Sequence, residues 1–212
     1  MKLETCLYQD QETHWPQTGR HILAQYDAET VVVYQAFHPS IGEEATRLGR
    51  FGDNFSLSRM SWIKPNFLWM MFRSGWAAKE NQETILAVSL KRPAFDLILG
   101  QAIASSFSQE QPESHAEWQA ALTASDVRLQ WDPDHAPDGA KVERRAIQLG
   151  LRGDILARYA SDWVVSIEDI TAFVTEQHKH VQAGNLPLLQ TPCETVYPVS
   201  EAQAAHLGMT LK

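Results

Sequence analysis

The sequence predicts an α+β fold in a single domain. Strand-like and helix-like segments alternate in part of the chain, but some neighbouring strands are separated only by turns, which favours a mixed fold over a doubly wound parallel sheet. The 212 residues, 44% of them hydrophobic, fit one large domain or two small ones. We expect residues 1–19 to be a polar N-terminal arm, residues 20–184 to form the domain, and residues 185–212 to be a mostly irregular tail.

The two clearest strands are residues 30–37 (TVVVYQAF) and 85–90 (ILAVSL), which we place in the central sheet. His38 and Pro39 end the first, and Pro93 opens a helix after the second. In chain order, the other predicted elements are a helix in IGEEATRLG, a strand in SWIK, a short helix starting near Asn66, a helix in AFDLILGQAIASSF, a polar loop at residues 108–114, a helix in HAEWQAALTAS, strands in DVRLQWDPD and VERRAIQLGLRG, a helix in DILARYAS, a strand in DWVVSIEDIT and a helix in ITAFVTEQHKHVQAG.

Charge and hydropathy exclude several classes of protein. A formal net charge of −8 argues against binding to duplex nucleic acid through a basic surface. No apolar run approaches the roughly 20 residues of a membrane span, and the N-terminus lacks the apolar region of a signal peptide. The two cysteines, Cys6 and Cys193, form no CxxC pair and are interpreted as free thiols in a reducing compartment. These observations predict a cytoplasmic protein with no membrane partner.

Motifs for common cofactors and for metals are absent from the sequence. It contains no GxxxxGKS/T, GxGxxG, HExxH or GxSxG pattern. His178 and His180 are two residues apart and therefore point to different sides of a predicted helix, and the other histidines show no metal-ligand spacing. We expect neither a metal nor a resident cofactor.

The most informative stretch is SRMSWIKPNFLWMMFRSGW, residues 58–76, called here the basic aromatic segment. It contains three tryptophans and the cations Arg59, Lys64 and Arg73, but no acidic residue. Guanidinium groups bind phosphate in a bidentate manner, and indole rings stack on nucleobases. The segment is thus a candidate nucleotide-diphosphate site, with Trp62 and Lys64 on one face of the predicted strand. Equally, the tryptophans could be core residues, with the cations paired to acidic groups at Glu43, Glu44 or Asp53.

Other candidate residues lie at predicted strand ends. Tyr34 and Gln35 end a buried strand, Trp131 and Asp132 end another, and Gln148 lies in the strand AIQLGL. Buried or rim amides need partners, and a ligand is one option, although packing with the polar tip at the rim explains them as well. Glu168 lies at a strand-to-helix junction, where it is a possible general base or ribose ligand, or simply a solvated glutamate.

Five stretches together resemble a known family. RHILAQYDAETVVVYQAF, SRMSWIKPNFLWMMFRSGW, VRLQWDPD, RAIQLGL and WVVSIEDIT are similar to the domain-of-unknown-function family 4291, and the resemblance covers about residues 18–180. This family distantly resembles the ADP-ribosyltransferase fold, in which a bent, split central β-sheet flanked by helices grips NAD or ADP-ribose. The resemblance implies a hydrolase that removes ADP-ribose from modified RNA, with ADP-ribose or NAD as ligand and an RNA end as a partner.

The resemblance also implies roles for individual residues. Where a transferase would typically have a His-Gly pair, this chain has Tyr34 and Gln35. NAD-dependent ADP-ribosyl transfer is therefore the alternative function. A non-catalytic module that binds ADP-ribose is the third. The catalytic candidates are Tyr34, Lys64, Asp132 and Glu168, and the ligand-binding candidates are Arg20, Gln35, Arg59, Trp62, Trp69, Arg73, Trp76, Trp131 and Gln148.

Overall fold

The computed structural model describes residues 2–107 and 114–210, which form a single α+β domain. The strands are β1 (Thr5–Leu7), β2 (Gly19–Arg20), β3 (Leu23–Ala24), β4 (Thr30–Phe37), β5 (Ser61–Ile63), β6 (Thr84–Lys91), β7 (Ala102–Ala104), β8 (Val127–His135), β9 (Lys141–Leu151), β10 (Val164–Asp169), β11 (Gln190–Pro192) and β12 (Thr195–Val196). The α-helices are α1 (Tyr8–Glu12), α2 (Pro39–Leu48), α3 (Phe67–Ser74), α4 (Arg92–Gly100), α5 (His115–Ala124), α6 (Gly153–Ala160), α7 (Thr171–Gln182) and α8 (Glu201–Leu207), with a 3-10 turn at Leu186–Leu188.

An antiparallel three-stranded sheet, in the order β10-β6-β4, separates the two hydrophobic cores of the domain. Side chains alternate across β4, so that Val31 and Val33 enter one core while Val32 and Tyr34 enter the other. Burial on both faces explains why this strand and β6 read as nearly continuous apolar runs. Both predicted central strands are confirmed.

A second, mixed sheet has the order β2-β9-β8-β7, and β5 also pairs with β9. The long strand β9 makes this possible, because its start pairs with β2 and its end pairs with β5 along the same edge. The pairs β2–β9 and β7–β8 are parallel, whereas β8–β9 and β5–β9 are antiparallel. The predicted helix after Pro93 ends at Gly100, because Ala102–Ala104 pair with β8 as strand β7.

A bridge between Tyr34 in β4 and Lys64, the residue after β5, joins the two sheets. The amide of Tyr34 donates to the carbonyl of Lys64 at 2.7 Å, and the amide of Lys64 donates to the carbonyl of Tyr34 at 3.2 Å. Pro65 follows and has no N–H to continue the pairing. Helix α3 starts next, with the Asn66 side chain accepting from the amide of Trp69 at 2.7 Å as the N-cap, as the sequence predicts.

The chain termini pack together, in contrast to the expected polar arm and irregular tail. Strand β1 pairs with β11, and Tyr8 and Trp15 are buried in the core. Cys6 and Cys193 form a disulfide with their Cα atoms 5.2 Å apart, so the interpretation of two free thiols is wrong. A closed disulfide is typical of oxidising compartments, which removes one observation behind the predicted cytoplasmic location.

The described part of the chain also bears on membranes and metals. None of its helices is both long enough and apolar enough to cross a bilayer. Across residues 2–107 and 114–210, no three histidine, cysteine or acidic side chains come together as a set that could hold a metal ion. Residues 108–113 of the predicted polar loop lie outside the described residues.

Candidate functional site

A cleft of about 1040 Å³ lies where the two sheets meet. Its walls come from the end of β4, the start of α2, β5 with the residues before it, α3, β8 and β9. Several elements that are distant in sequence therefore contribute side chains to one concave surface, which is the usual setting of a ligand site.

The three cations of the basic aromatic segment, Arg59, Lys64 and Arg73, all line this cleft. None of them forms an ion pair with a carboxylate in the part of the chain that the structure describes. Glu44, one of the acidic partners considered from sequence, instead accepts from the amide of Asn54 at 2.8 Å. The cations therefore remain available to an anionic ligand.

Lys64 differs from the two arginines because it is only 4% exposed, whereas both arginines are exposed. Burial is the main reason why the pKa of its ammonium is lowered to about 8. The nearby positive charge of Arg73 lowers this pKa further, and the carboxylate of Asp132 opposes the shift. Lys64 therefore loses its proton more easily than an ordinary lysine, and a minor fraction of it is the neutral amine at pH 7.

Aromatic rings form two parts of the cleft wall. The half-buried Trp62 lies over Gly150, which is its pairing partner in β9. A Cβ atom at position 150 would lie 3.0 Å from the indole of Trp62 and 2.6 Å from the sulfur of Met60, so this close packing requires a glycine. On α3, Trp69 and Phe72 stack with the buried His135 of β8, with ring centroids 5.3 and 3.5 Å from the imidazole. Phe72 is 43% exposed, so its ring remains accessible for stacking.

Hydrogen-bonded amides hold the remaining polar groups of the cleft. Gln148 donates to Asp132 Oδ2 at 2.6 Å and to Gln130 Oε1 at 2.8 Å, which fixes the carboxylate on the cleft wall. Gln35 donates to the hydroxyl of Ser61 at 2.8 Å and to the carbonyl of Trp62 at 3.1 Å. Its own carbonyl accepts from Tyr159 at 2.6 Å, so Gln35 positions β5 against β4.

Eight of the residues proposed from sequence meet in this cleft, namely Gln35, Arg59, Trp62, Lys64, Trp69, Arg73, Asp132 and Gln148. Tyr34 does not join them, because neighbouring side chains of a strand point to opposite faces and its ring packs against Phe67 in the core. Glu168 is exposed on β10 and does not line the cleft.

The other three candidates also lie away from the cleft. Arg20 is exposed on β2 and donates to the carbonyl of Gly208 at 3.2 Å. Trp76 stacks on His178 with ring centroids 5.2 Å apart and donates to the carbonyl of Pro137. Trp131 donates to the carbonyl of Leu207 at 2.9 Å and packs against the core. Their polar atoms are used within the fold.

Sequence reasoning missed Phe72 and His135 as neighbours of the site. Phe72 had a detectable signal, because Trp69, Phe72 and Arg73 have the i, i+3, i+4 spacing that puts three side chains on one helix face. His135 had none, since its contact with α3 depends on how β8 packs in the tertiary structure.

A buried glutamate from the C-terminal segment holds the N-terminus of α3. The carboxylate of Glu194 accepts from the amide of Phe67 at 2.7 Å and from the side chain of Asn66 at 3.5 Å. Burial raises the pKa of Glu194 well above its usual value, with the nearby Asp134 adding to the shift, although the Phe67 amide and Arg144 oppose it. The disulfide of Cys193 thus adjoins the residue that anchors the helix of the cleft wall.

This raised pKa predicts a pH-dependent stability. A carboxyl group whose pKa is higher in the folded state than in the unfolded state binds more protons when folded, so stability is lost as pH rises through the folded pKa. We expect Glu194→Gln to remove part of this loss, because the amide oxygen can still accept from Phe67. Relative to the wild type, the variant should gain stability from pH 5 to 8, by up to about 1.4 kcal/mol per pH unit.

Urea denaturation of both proteins at several pH values measures this difference. Asp134, whose pKa is also raised by burial, interacts electrostatically with Glu194, so the difference between the two curves reports the titration of this coupled pair. Parallel stability curves for wild type and variant would show that Glu194 does not titrate in the way that its burial implies.

Fold and site together define an α+β protein in which one cleft combines aromatic rings, a fixed carboxylate and cations that have no ion-pair partner among the described residues. The chain belongs to the family described as "Domain of unknown function (DUF4291)", whose model matches residues 21–197. A comparison with curated proteins gives no match. The family predicted from sequence is therefore confirmed.

Proposed function

We propose that this protein is an ADP-ribosyl hydrolase that removes ADP-ribose from modified RNA. The proposal rests on one observation: Arg59, Lys64 and Arg73 lie in the same cleft as stacking aromatic rings and a carboxylate. None of the three cations has an ion-pair partner among the described residues. ADP-ribose presents matching groups, namely a diphosphate for cations, an adenine for aromatic rings and a ribose whose anomeric carbon reacts.

The positions of the side chains suggest how such a ligand lies. The exposed arginines Arg59 and Arg73 bind the diphosphate, and the accessible rings of Trp62 and Phe72 offer faces for a base. The buried Lys64 and the fixed carboxylate of Asp132 face the ribose that is cleaved. The volume of about 1040 Å³ is at the upper end of the common range for small-molecule sites, which leaves room for an attached phosphate of the RNA.

The relation to the ADP-ribosyltransferase fold is part of the same proposal. Two sheets that meet at the bridge between Tyr34 and Lys64, with a cleft at their junction, support a split central sheet. Transfer from NAD has less support than hydrolysis, because Glu168, which the resemblance places as the late transferase glutamate, is exposed outside the cleft.

One assay with two substrates tests the proposal. The protein is incubated with a short RNA carrying ADP-ribose on its terminal phosphate, and separately with NAD. We expect free ADP-ribose and unmodified RNA from the first reaction, and no loss of NAD in the second. Consumption of NAD would instead support a transferase. Tight ADP-ribose binding, seen as a raised melting temperature without product in either reaction, would support a binding module.

A further inference from the structure

Lys64 is unusual among the cations of the cleft because it is buried, whereas Arg59 and Arg73 are exposed. The residue is 4% exposed, and no described residue accepts a hydrogen bond from its ammonium or forms an ion pair with it. Its backbone is fixed by the bridge to Tyr34 and followed by the buried Pro65, so the point from which the side chain extends is held in place. Burying an unpaired charge is costly, and this cost favours the neutral amine.

The cations of the cleft fall into two groups, which are suited to different chemical roles. Arg59 and Arg73 present exposed guanidinium groups, whose planar forks bind phosphate in a bidentate manner, so they are suited to the diphosphate. A buried lysine can lose its proton and then has a lone pair that acts as a nucleophile. The burial of Lys64 and its lowered pKa of about 8 place it in this second group.

We propose that Lys64 is the nucleophile of the reaction and carries the ADP-ribosyl group as a covalent intermediate on its side-chain nitrogen. This inference rests on the proposed hydrolase function and adds to it a chemical mechanism. It assigns to Lys64 direct contact with the anomeric carbon, C1″, of the cleaved ribose, and leaves the phosphates to the arginines.

Each step balances without an oxidant or a reductant. The lone pair of Lys64 Nζ attacks C1″ while the bond from C1″ to the RNA phosphate oxygen breaks, and the phosphate leaves with the electron pair. The nitrogen then loses a proton to Asp132, giving an N-glycoside. The nitrogen lone pair then opens the ribose ring, O4″ takes up the proton that Asp132 holds, and a protonated imine forms between Nζ and C1″.

Water completes the cycle. It adds to the imine carbon and gives up a proton to Asp132, and the resulting carbinolamine collapses to release the amine of Lys64 and the aldehyde form of ADP-ribose, which closes to its ring. The net reaction is hydrolysis. Asp132 is suited to this proton transfer because it interacts electrostatically with Lys64 and is fixed by Gln148 at 2.6 Å.

Borohydride trapping tests the inference, since hydride reduces an imine to a stable secondary amine. The full chain is mixed with terminally ADP-ribosylated RNA, and samples taken over time are treated with sodium borohydride. Free ADP-ribose is measured in untreated portions of the same samples. We expect the intact mass to increase by one reduced ADP-ribosyl group, and peptide mapping to place it on Lys64.

Variants provide the matched comparison. Lys64→Arg keeps the positive charge of the side chain but removes the nucleophilic amine. Lys64→Met keeps a side chain of similar length without a charge, and it is used if the arginine variant does not fold. Both should show no adduct at position 64, and ADP-ribose release should fall by roughly 100-fold or more. Lys79→Arg is the control, because Lys79 is exposed and lies outside the cleft wall. It should form the adduct and release ADP-ribose as the wild type does.

The outcomes separate the mechanism from the function. Release of ADP-ribose by the wild type without an adduct on Lys64 overturns the inference and keeps the hydrolase. Adducts spread over exposed lysines, or equal in heat-denatured protein, identify nonspecific glycation and also overturn it. If neither release nor adduct occurs, the proposed function itself fails, and the covalent mechanism fails with it.

Discussion

Replacing both Arg59 and Arg73 with alanine is expected to weaken ADP-ribose binding by roughly 100-fold or more. Hydrogen bonds to charged groups are worth about 1.5–3 kcal/mol each, and two arginines that share one diphosphate together lose more than either alone. Both side chains line the cleft, are exposed and make no ion pair within the described residues, so their removal leaves no buried charge behind. Isothermal titration with ADP-ribose measures the change.

Two controls make this experiment specific for the phosphate interaction. Adenosine has the base but no diphosphate, so its affinity should be nearly equal in wild type and double variant. Arg47→Ala removes an exposed arginine of α2 outside the cleft and should leave ADP-ribose binding unchanged. Added salt should weaken wild-type binding more than binding by the variant, because exposed charges are screened. Equal losses for adenosine and ADP-ribose would indicate that the arginines shape the cleft instead.

The parts of the fold that depend on local signals were predictable from the sequence. Strands β4 and β6 have β-branched runs bounded by breakers, and helix α3 starts where Asn66 provides a cap. Each of these signals lies within a few residues of the element it defines, so no tertiary information is needed to interpret it.

The disulfide and the glutamate anchor were not predictable in this way. Cys6 and Cys193 are 187 residues apart, and they meet only because β1 and β11 pair. Glu194 lies in a segment with few periodic signals, and its carboxylate reaches the N-terminus of α3 through that same pairing of the termini. Long-range contacts of this kind leave no spacing pattern in the sequence.

The candidate site was only partly predictable, for a related reason. The basic aromatic segment marked the cleft because unpaired cations among aromatic residues are unusual in a core. The alternation of side chains along β4 predicts that Tyr34 and Gln35 face opposite sides of the sheet. It does not predict which of the two sides faces the cleft, because that depends on the orientation of β4. The structure places Gln35 at the cleft and Tyr34 in the core.

The pH dependence of ADP-ribose release is expected to show a change of roughly tenfold per pH unit below pH 8. The proposed attack needs the neutral amine of Lys64, whose pKa is lowered to about 8 mainly by burial. Below that pH the amine is protonated and the neutral fraction falls tenfold per unit, so kcat/KM should rise with pH and level off above about 8. This ratio is the appropriate measure, because it reports ionisations of the free enzyme.

Two charged neighbours of Lys64 allow the assignment to be tested by opposite shifts. Arg73 on α3 lowers the pKa of Lys64 and Asp132 on β8 raises it. Arg73→Ala should therefore move the midpoint of the kcat/KM profile to higher pH, and Asp132→Asn should move it to lower pH, although both variants also react more slowly. The pH dependence of Lys64 reductive methylation, followed by mass spectrometry, gives the same midpoints without relying on activity. A profile that is flat from pH 6 to 9, or midpoints that stay in place in both variants, would mean that a group other than Lys64 controls the rate, because Arg73 and Asp132 act on the pKa of Lys64 in opposite directions.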